Sequence, residues 1–179
     1  MNLIIDTVVK GHDNVTINID GDVPLDIKLV DSKGNSPLYW RIGDGCKSLL
    51  ELAVLPKNGF LSAITLVMMD INSIHKVESI QVELLCEEAG LPIVNLDLWE
   101  DSASNSFSQR FIDNFNCDMQ VYISEDAILI EISENDNKTN WIRCGNNFHL
   151  GLNEERNITH LFLNGLSQVD ISNFTESIY

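Results

Sequence analysis

The sequence predicts a mainly β fold, a β-rich α+β chain whose antiparallel hairpins form a sandwich or open barrel, with one short helix near 106–115. Three observations lead there. Apolar and polar residues alternate with period two through most of the chain, as in Leu25-Asp26-Ile27-Lys28-Leu29, which is the pattern of a strand with one wet side. Polar turn clusters recur at short spacing, which suits meandering antiparallel pairing. One stretch alone, carrying Phe107, Phe111 and Phe115, repeats every four residues.

Taken in order, 3–9, 15–19 and 25–29 read as strands. They are separated by His12-Asp13-Asn14, Asp20-Gly21-Asp22 and, after the third, Asp31-Ser32-Lys33-Gly34-Asn35, residues that tolerate the angles tight turns need. The clearest hairpin follows. Leu50, Leu52 and Val54 alternate with Glu51 and Ala53, and Pro56-Lys57-Asn58-Gly59 turns the chain into 60–69, the Asn-Gly pair favouring positive φ. Segments 77–85 and 93–99 read as two more strands joined through Glu87-Glu88-Ala89-Gly90.

The polar run 101–106 is a break, after which the Phe spacing and an available serine cap predict the short helix, its Phe stripe facing the core. Strands then resume at 119–124, 127–133, 140–144, 148–152 and 158–163, the first two around Glu125-Asp126 and the last two flanking Asn153-Glu154-Glu155-Arg156. Leu50-Glu51-Leu52-Ala53-Val54 followed by Ile64-Thr65-Leu66 echoes Phe148-His149-Leu150-Gly151-Leu152 followed by Leu161-Phe162-Leu163, with Trp40 or Trp141 ahead of each. The 179 residues fit one domain, in which 1–100 and 101–179 are either two copies of one unit or two uses of one hairpin pattern.

Composition narrows the function. Hydrophobic residues make up 44% of the chain and charged residues 21%, a globular mixture able to bury a core. The imbalance is in sign: 27 Asp and Glu against 11 Lys and Arg leave a formal net charge of -16. Such a field repels phosphate backbones and anionic headgroups, so nucleic acid and membrane surfaces are excluded as partners and a basic protein is favoured. The same charge also serves solubility.

The four cysteines, Cys46, Cys86, Cys117 and Cys144, lie about 30 residues apart, without the paired spacing of a zinc site. They read as buried, unpaired thiols in a reducing cytoplasm. No signal-peptide pattern or membrane-length apolar run is present.

No catalytic motif emerges. A nucleophile elbow, a phosphate-binding glycine loop, a dinucleotide fingerprint and a zinc-protease motif are all missing. Asp20-Gly21-Asp22 lacks the acid spacing of a calcium loop and reads as a turn. His149 and His160 deserve notice, because a four-residue turn at 153–156 would set them opposite each other on one face. No third ligand accompanies them, so they read as strand histidines. No catalytic, cofactor or metal site is assigned.

Small, acidic, made of hairpins such as 50–69 and 148–163, and without an active-site motif, the chain resembles bacterial toxin-immunity proteins of the contact-dependent growth inhibition type. The resemblance implies a cytoplasmic protein that binds and neutralises a cognate toxin domain, often a basic nuclease. Candidate contacts are the acidic pairs Glu87-Glu88, Glu100-Asp101, Glu125-Asp126 and Glu154-Glu155, each of which also fits a solvated turn. The alternatives are a structural or regulatory partner-binding domain, or an enzyme whose site is assembled from distant residues.

Overall fold

The computed structural model describes residues 3–11, 14–101, 104–107, 109–132 and 138–179, with backbone alone at 86, 87, 101 and 104–107. The turn residues His12 and Asp13, the break residues Ser102 and Ala103, and Ser133 lie outside the described residues.

Among the described residues seventeen strands are laid out in chain order. They are β1 (Ile5–Val9), β2 (Thr16–Asn18), β3 (Leu25–Lys28), β4 (Leu38–Gly43), β5 (Leu49–Val54) and β6 (Leu61–Met68). A 3-10 turn at Ile71–Ser73 leads to β7 (Ile74–Lys76), β8 (Cys86–Ala89), β9 (Leu91–Val94), β10 (Glu100–Asp101), β11 (Ser104–Phe107) and β12 (Phe111–Asn114). The last five are β13 (Gln120–Ile123), β14 (Ile128–Glu131), β15 (Asn140–Arg143), β16 (Phe148–Leu152) and β17 (Ile158–Leu163), and helix α1 (Gln168–Ile178) ends the chain.

Two large sheets form an open sandwich, one with the order β12-β4-β5-β6-β3-β2, the other β7-β13-β14-β17-β16-β15-β8. Strands β1 and β9 make a small ribbon beside them, and β10 and β11 another. Each large sheet contains the same five-strand path, since β2-β3-β6-β5-β4 and β13-β14-β17-β16-β15 run hairpin first and meander second. Each path is flanked by a parallel strand from elsewhere in the chain, β12 on β4 and β8 on β15. The sheets therefore do not divide at residue 100: β12 joins the sheet of β2–β6, and β7 and β8 join the sheet of β13–β17.

Alternation explains the layers. Leu38, Trp40 and Ile42 of β4, Leu50, Leu52 and Val54 of β5, and Ile64 and Leu66 of β6 are fully buried. They share one core with Val121, Ile128, Ile130, Phe148, Leu150 and Leu161 of the facing sheet. Removing such a side chain to alanine costs about 2–5 kcal/mol.

The hairpin read at 50–69 is present, with β5 and β6 paired from Leu49–Met68 to Val54–Leu61. Its loop is longer than a two-residue turn. Gly59 takes φ 69 and a Cβ there would lie 2.6 Å from the Val94 carbonyl oxygen, so glycine serves both the turn and the close passage of β9.

Four expectations need correction. Of the thiols read as buried, Cys144 is buried, but Cys117 is half-buried and Cys46 is exposed. The helix near 106–115 is replaced by β11 and β12. A spacing of four is even, so Phe107, Phe111 and Phe115 share a face in an extended chain as well as in a helix; Phe111 is 47% exposed, which removes the inferred core-facing stripe.

Segment 77–85 is extended but belongs to no sheet, and strand character at 93–99 stops at Val94, with Trp99 N–H donating to the Leu96 carbonyl in a turn. Alternation reports which side of a chain is buried, not whether its backbone is paired.

The helix is instead α1. Ser167 caps it, accepting from Asp170 N at 3.1 Å while Asp170 Oδ2 accepts from Ser167 N at 3.0 Å, a reciprocal capping box. Phe174 anchors it, fully buried in the shared core, and Asn173 Nδ2 donates to the Ile19 carbonyl at 3.0 Å.

Candidate partner-binding surfaces

The outer face of the β2–β6 sheet is the side on which alternate residues stay partly exposed. Register aligns Tyr39 of β4 with Ala53 of β5, Ala63 of β6, Lys28 of β3 and Thr16 of β2 as one row across the strands. The next row is Arg41, Glu51, Thr65, Asp26 and Asn18. Small side chains at Ala53 and Ala63 leave a concavity of about 360 Å³ between Tyr39, Glu51 and Lys28.

At the β12 edge this face becomes aromatic and cationic. The Tyr39 and Phe111 rings stack with centroids 5.3 Å apart, and the Arg41 guanidinium lies 4.6 Å from the Phe111 centroid and 5.8 Å from that of Phe115. Parallel pairing of β12 with β4 sets Asp113 beside Arg41, and Asp113 accepts from Nε at 2.7 Å and Nη2 at 2.8 Å. Hydrogen bonding to Asp113 holds the Arg41 pKa above its ordinary value, against a lowering by burial. Phe115 rests on Gly45, where an added Cβ would approach its ring to 3.0 Å.

The outer face of the other sheet is covered by the chain itself. Ile80, Val82 and Leu84 of the extended segment 77–85 pack against Ala127, Leu129, Trp141 and Phe162. Beside this strap lies a concavity of about 630 Å³ bordered by Glu88, Trp141, Arg156 and His160. Arg156 Nη2 pairs with Glu88 at 2.9 Å, and His160 Nε2 lies 3.9 Å from Glu131.

His149 and His160 do share this face, but not opposite each other. His149 is paired with Phe162 and His160 with Gly151, a diagonal displacement that arises because Leu152 pairs with Ile158 across a longer loop and the register shifts again between Gly151 and Leu152. His149 is buried, its ring 6.1 Å from that of Phe162, and burial followed by the nearby Arg143 charge lowers its pKa. Among the described residues no group of three His, Cys, Asp or Glu is arranged to hold a metal ion.

The acidic pairs are dispersed. Glu125 and Asp126 form the exposed turn between β13 and β14, whose carbonyls accept from Gln168 Nε2 at 2.8 Å and Leu166 N at 2.9 Å. Glu154 and Glu155 form the exposed turn between β16 and β17, at the opposite end of the same sheet, because Ile128 is level with Leu163 while Leu152 is level with Ile158. Six residues of β17 span roughly 20 Å between the two turns.

Glu88 is half-buried on β8 and already paired with Arg156. Glu100 is exposed on the β10 ribbon. The side chains of Glu87 and Asp101 lie outside the described residues. These acids make no single patch.

The sequence reading passed over Tyr39 and Arg41 and gave Phe111 to a core-facing helical stripe, although the even spacing of the Phe residues suits a strand as well. A further concavity of about 690 Å³ lies at the end of the sandwich between Val9, Leu29, Phe60 and Leu91. Among the described residues no helix is long and apolar enough to cross a membrane.

No family model matches the chain. It is similar to immunity protein CdiI-1 of Escherichia coli O157:H7 (strain EC869), with 41% identity over 85 residues, a stretch covering 48% of this chain and 99% of that relative.

Proposed function

The chain belongs to the CdiI immunity proteins of contact-dependent growth inhibition systems, and from that premise we propose that it forms a tight one-to-one complex with a cognate toxin domain, a basic nuclease, inside the cell that makes both. The observation that carries this reading is 41% identity across 99% of the length of immunity protein CdiI-1. The charge supports it: a formal net charge of -16 speeds encounter with a cationic partner and disfavours acidic ones.

In this reading the protein is a binder and does no chemistry. The exposed pairs Glu125-Asp126 and Glu154-Glu155, with Glu87, Glu88, Glu100 and Asp101, shape a long-range field around the molecule, and affinity comes from a few well-packed anchors elsewhere. The relative is about half as long as this chain, which supports reading the chain as two copies of one five-stranded unit with flanking strands exchanged between the sheets.

The test is co-expression with the toxin domain encoded beside this chain. Growth rescue and a co-purified one-to-one complex are the expected result, with association slowing as salt is added. Growth arrest despite full expression of the chain, and no complex between the purified proteins, would sink the reading.

A further inference from the structure

The two sheets present equivalent outer faces, and among the described residues the chain covers only one of them. Superposing the five-strand paths by register sets the row Trp141, Gly151, His160, Glu131 and Gln120 on the row Tyr39, Ala53, Ala63, Lys28 and Thr16. The adjoining row, Arg143, His149, Phe162, Leu129 and Tyr122, falls on Arg41, Glu51, Thr65, Asp26 and Asn18. An arginine stands at the same place in both.

On the β13–β17 sheet this face takes an extended segment. Ile80, Val82 and Leu84 point down onto Trp141, Phe162 and Leu129, while Gln81, Glu83 and Leu85 between them face solvent. Trp141, His149 and Phe162 are buried beneath or beside it. On the β2–β6 sheet the matching residues Tyr39, Glu51 and Thr65 remain partly exposed, and among the described residues no segment is packed on them.

We propose that the outer face of the β2–β6 sheet is the toxin-docking surface, and that it receives an extended toxin segment in which apolar residues alternate with lysine or arginine, laid across the strands as 77–85 lies across the equivalent face. This rests on the immunity reading and adds the place and manner of contact.

Three features fit that occupant. The concavity of about 360 Å³ over Ala53 and Ala63 offers the depth an apolar side chain fills. Tyr39 lines it and stacks on Phe111, over which Arg41 lies, and tyrosine and arginine are among the residues that dominate interface energies. Glu51 stands beside Arg41 in the register, Arg41 is also held by Asp113, and Lys28 lies 3.7 Å from Asp26. The cations Arg41 and Lys28 stand against the acids Asp26, Glu51 and Asp113, so the face is negative on balance, complementary to a cationic segment.

The experiment uses the full chain and the catalytically inactive toxin domain encoded beside it. Hydroxyl-radical footprinting of the wild-type complex is expected to protect Tyr39, Phe111 and Phe115. Glu51→Lys and the double variant Tyr39→Ala/Phe111→Ala are expected to raise Kd tenfold or more while retaining the wild-type melting curve. Wild-type binding with the footprint on the turns at 125–126 and 154–155, or unchanged Kd in folded variants, would overturn the docking surface and leave the immunity reading intact. A wild-type chain that binds no toxin would remove the immunity reading, and the docking surface with it.

Discussion

Arg41 and Asp113 are 72 residues apart in the chain and meet through two hydrogen bonds, from Nε at 2.7 Å and from Nη2 at 2.8 Å. The pair joins β4 to its parallel neighbour β12, so a side-chain clamp reinforces a backbone ladder of four residues. Its side chains are 28% and 39% exposed, which screens the charges. Asp113→Ala is expected to lower stability by about 0.5–1 kcal/mol, read from urea unfolding, and to increase amide exchange along 111–114 ahead of the rest of the sheet. Exchange in β12 equal to that of the wild type would show that the ladder holds without the clamp.

Asp44 controls an acid-sensitive turn. Its Oδ1 accepts from the backbone N–H groups of Cys46, Lys47 and Ser48 at 2.8, 2.7 and 2.9 Å. These bonds, that from Ser48 foremost, hold its pKa down at about 2 against an ordinary value of 3.8. A carboxylate whose pKa is lower folded than unfolded stabilises above the unfolded value and loses that contribution as pH falls through the folded one. Asp44→Asn should therefore flatten the fall in stability between about pH 4 and pH 2. Parallel acid-unfolding curves for the two proteins would contradict this.

His149 acts in a neighbouring pH range. Burial and the Arg143 charge lower its pKa below 6.5, so the unfolded chain takes up the proton first and stability declines as pH drops below about 6.5. Its Nδ1 has no hydrogen-bond partner among the described residues, so a nonpolar replacement loses little. His149→Phe is expected to reduce the slope of stability between pH 7 and pH 5, measured by thermal melts in matched buffers. An unchanged slope would place the titration on another group.

Gly43 closes β4 at φ 136, and a Cβ there would sit 2.0 Å from the Ser48 carbonyl oxygen. Backbone must move to admit alanine. Gly43→Ala is expected to cost about 2–3 kcal/mol, whereas Gly34→Ala, at φ 79 with nothing within 4 Å of the new Cβ, costs about 1 kcal/mol from conformation alone. Denaturant midpoints for the two variants check the order, which equal losses would refute.

The strap over the β13–β17 sheet is held mainly by apolar side chains. Val82→Asp sets a carboxylate against Trp141 and Phe162 and is expected to release 77–85 without unfolding the sandwich. Native-state hydrogen exchange should rise in that segment alone. A global loss of the melting transition would mean that the strap is part of the cooperative core.

Period-two alternation read from residues such as Leu25, Ile27, Leu50 and Leu52 was enough to place most strands, because each buries one face whatever sheet it joins. It also located the likeness between 50–54 with 64–66 and 148–152 with 161–163, which stand at matching registers in the two sheets. Where alternation is ambiguous it misled: a spacing of four at Phe107, Phe111 and Phe115 suits helix and strand alike, and Ile80, Val82 and Leu84 alternate without a ladder. The helix at Gln168–Ile178 was legible in Ser167, Asp170, Ile171 and Phe174, a capping box ahead of a helical apolar stripe, but went unread.

By itself, then, the sequence determined the β-rich class, the acidic charge and the kinship in type with toxin-immunity proteins, since composition and local period need no partner across the fold. Tertiary structure decided what local pattern does not encode: that β12 crosses to pair with β4, that Arg41 meets Asp113 beside two phenylalanines, that the acidic turns at 125–126 and 154–155 point to opposite ends, and that among the described residues one sheet face is covered and the other open. Those depend on strand order and register, which are set by long-range burial and by the geometry of connections rather than by neighbours in the chain.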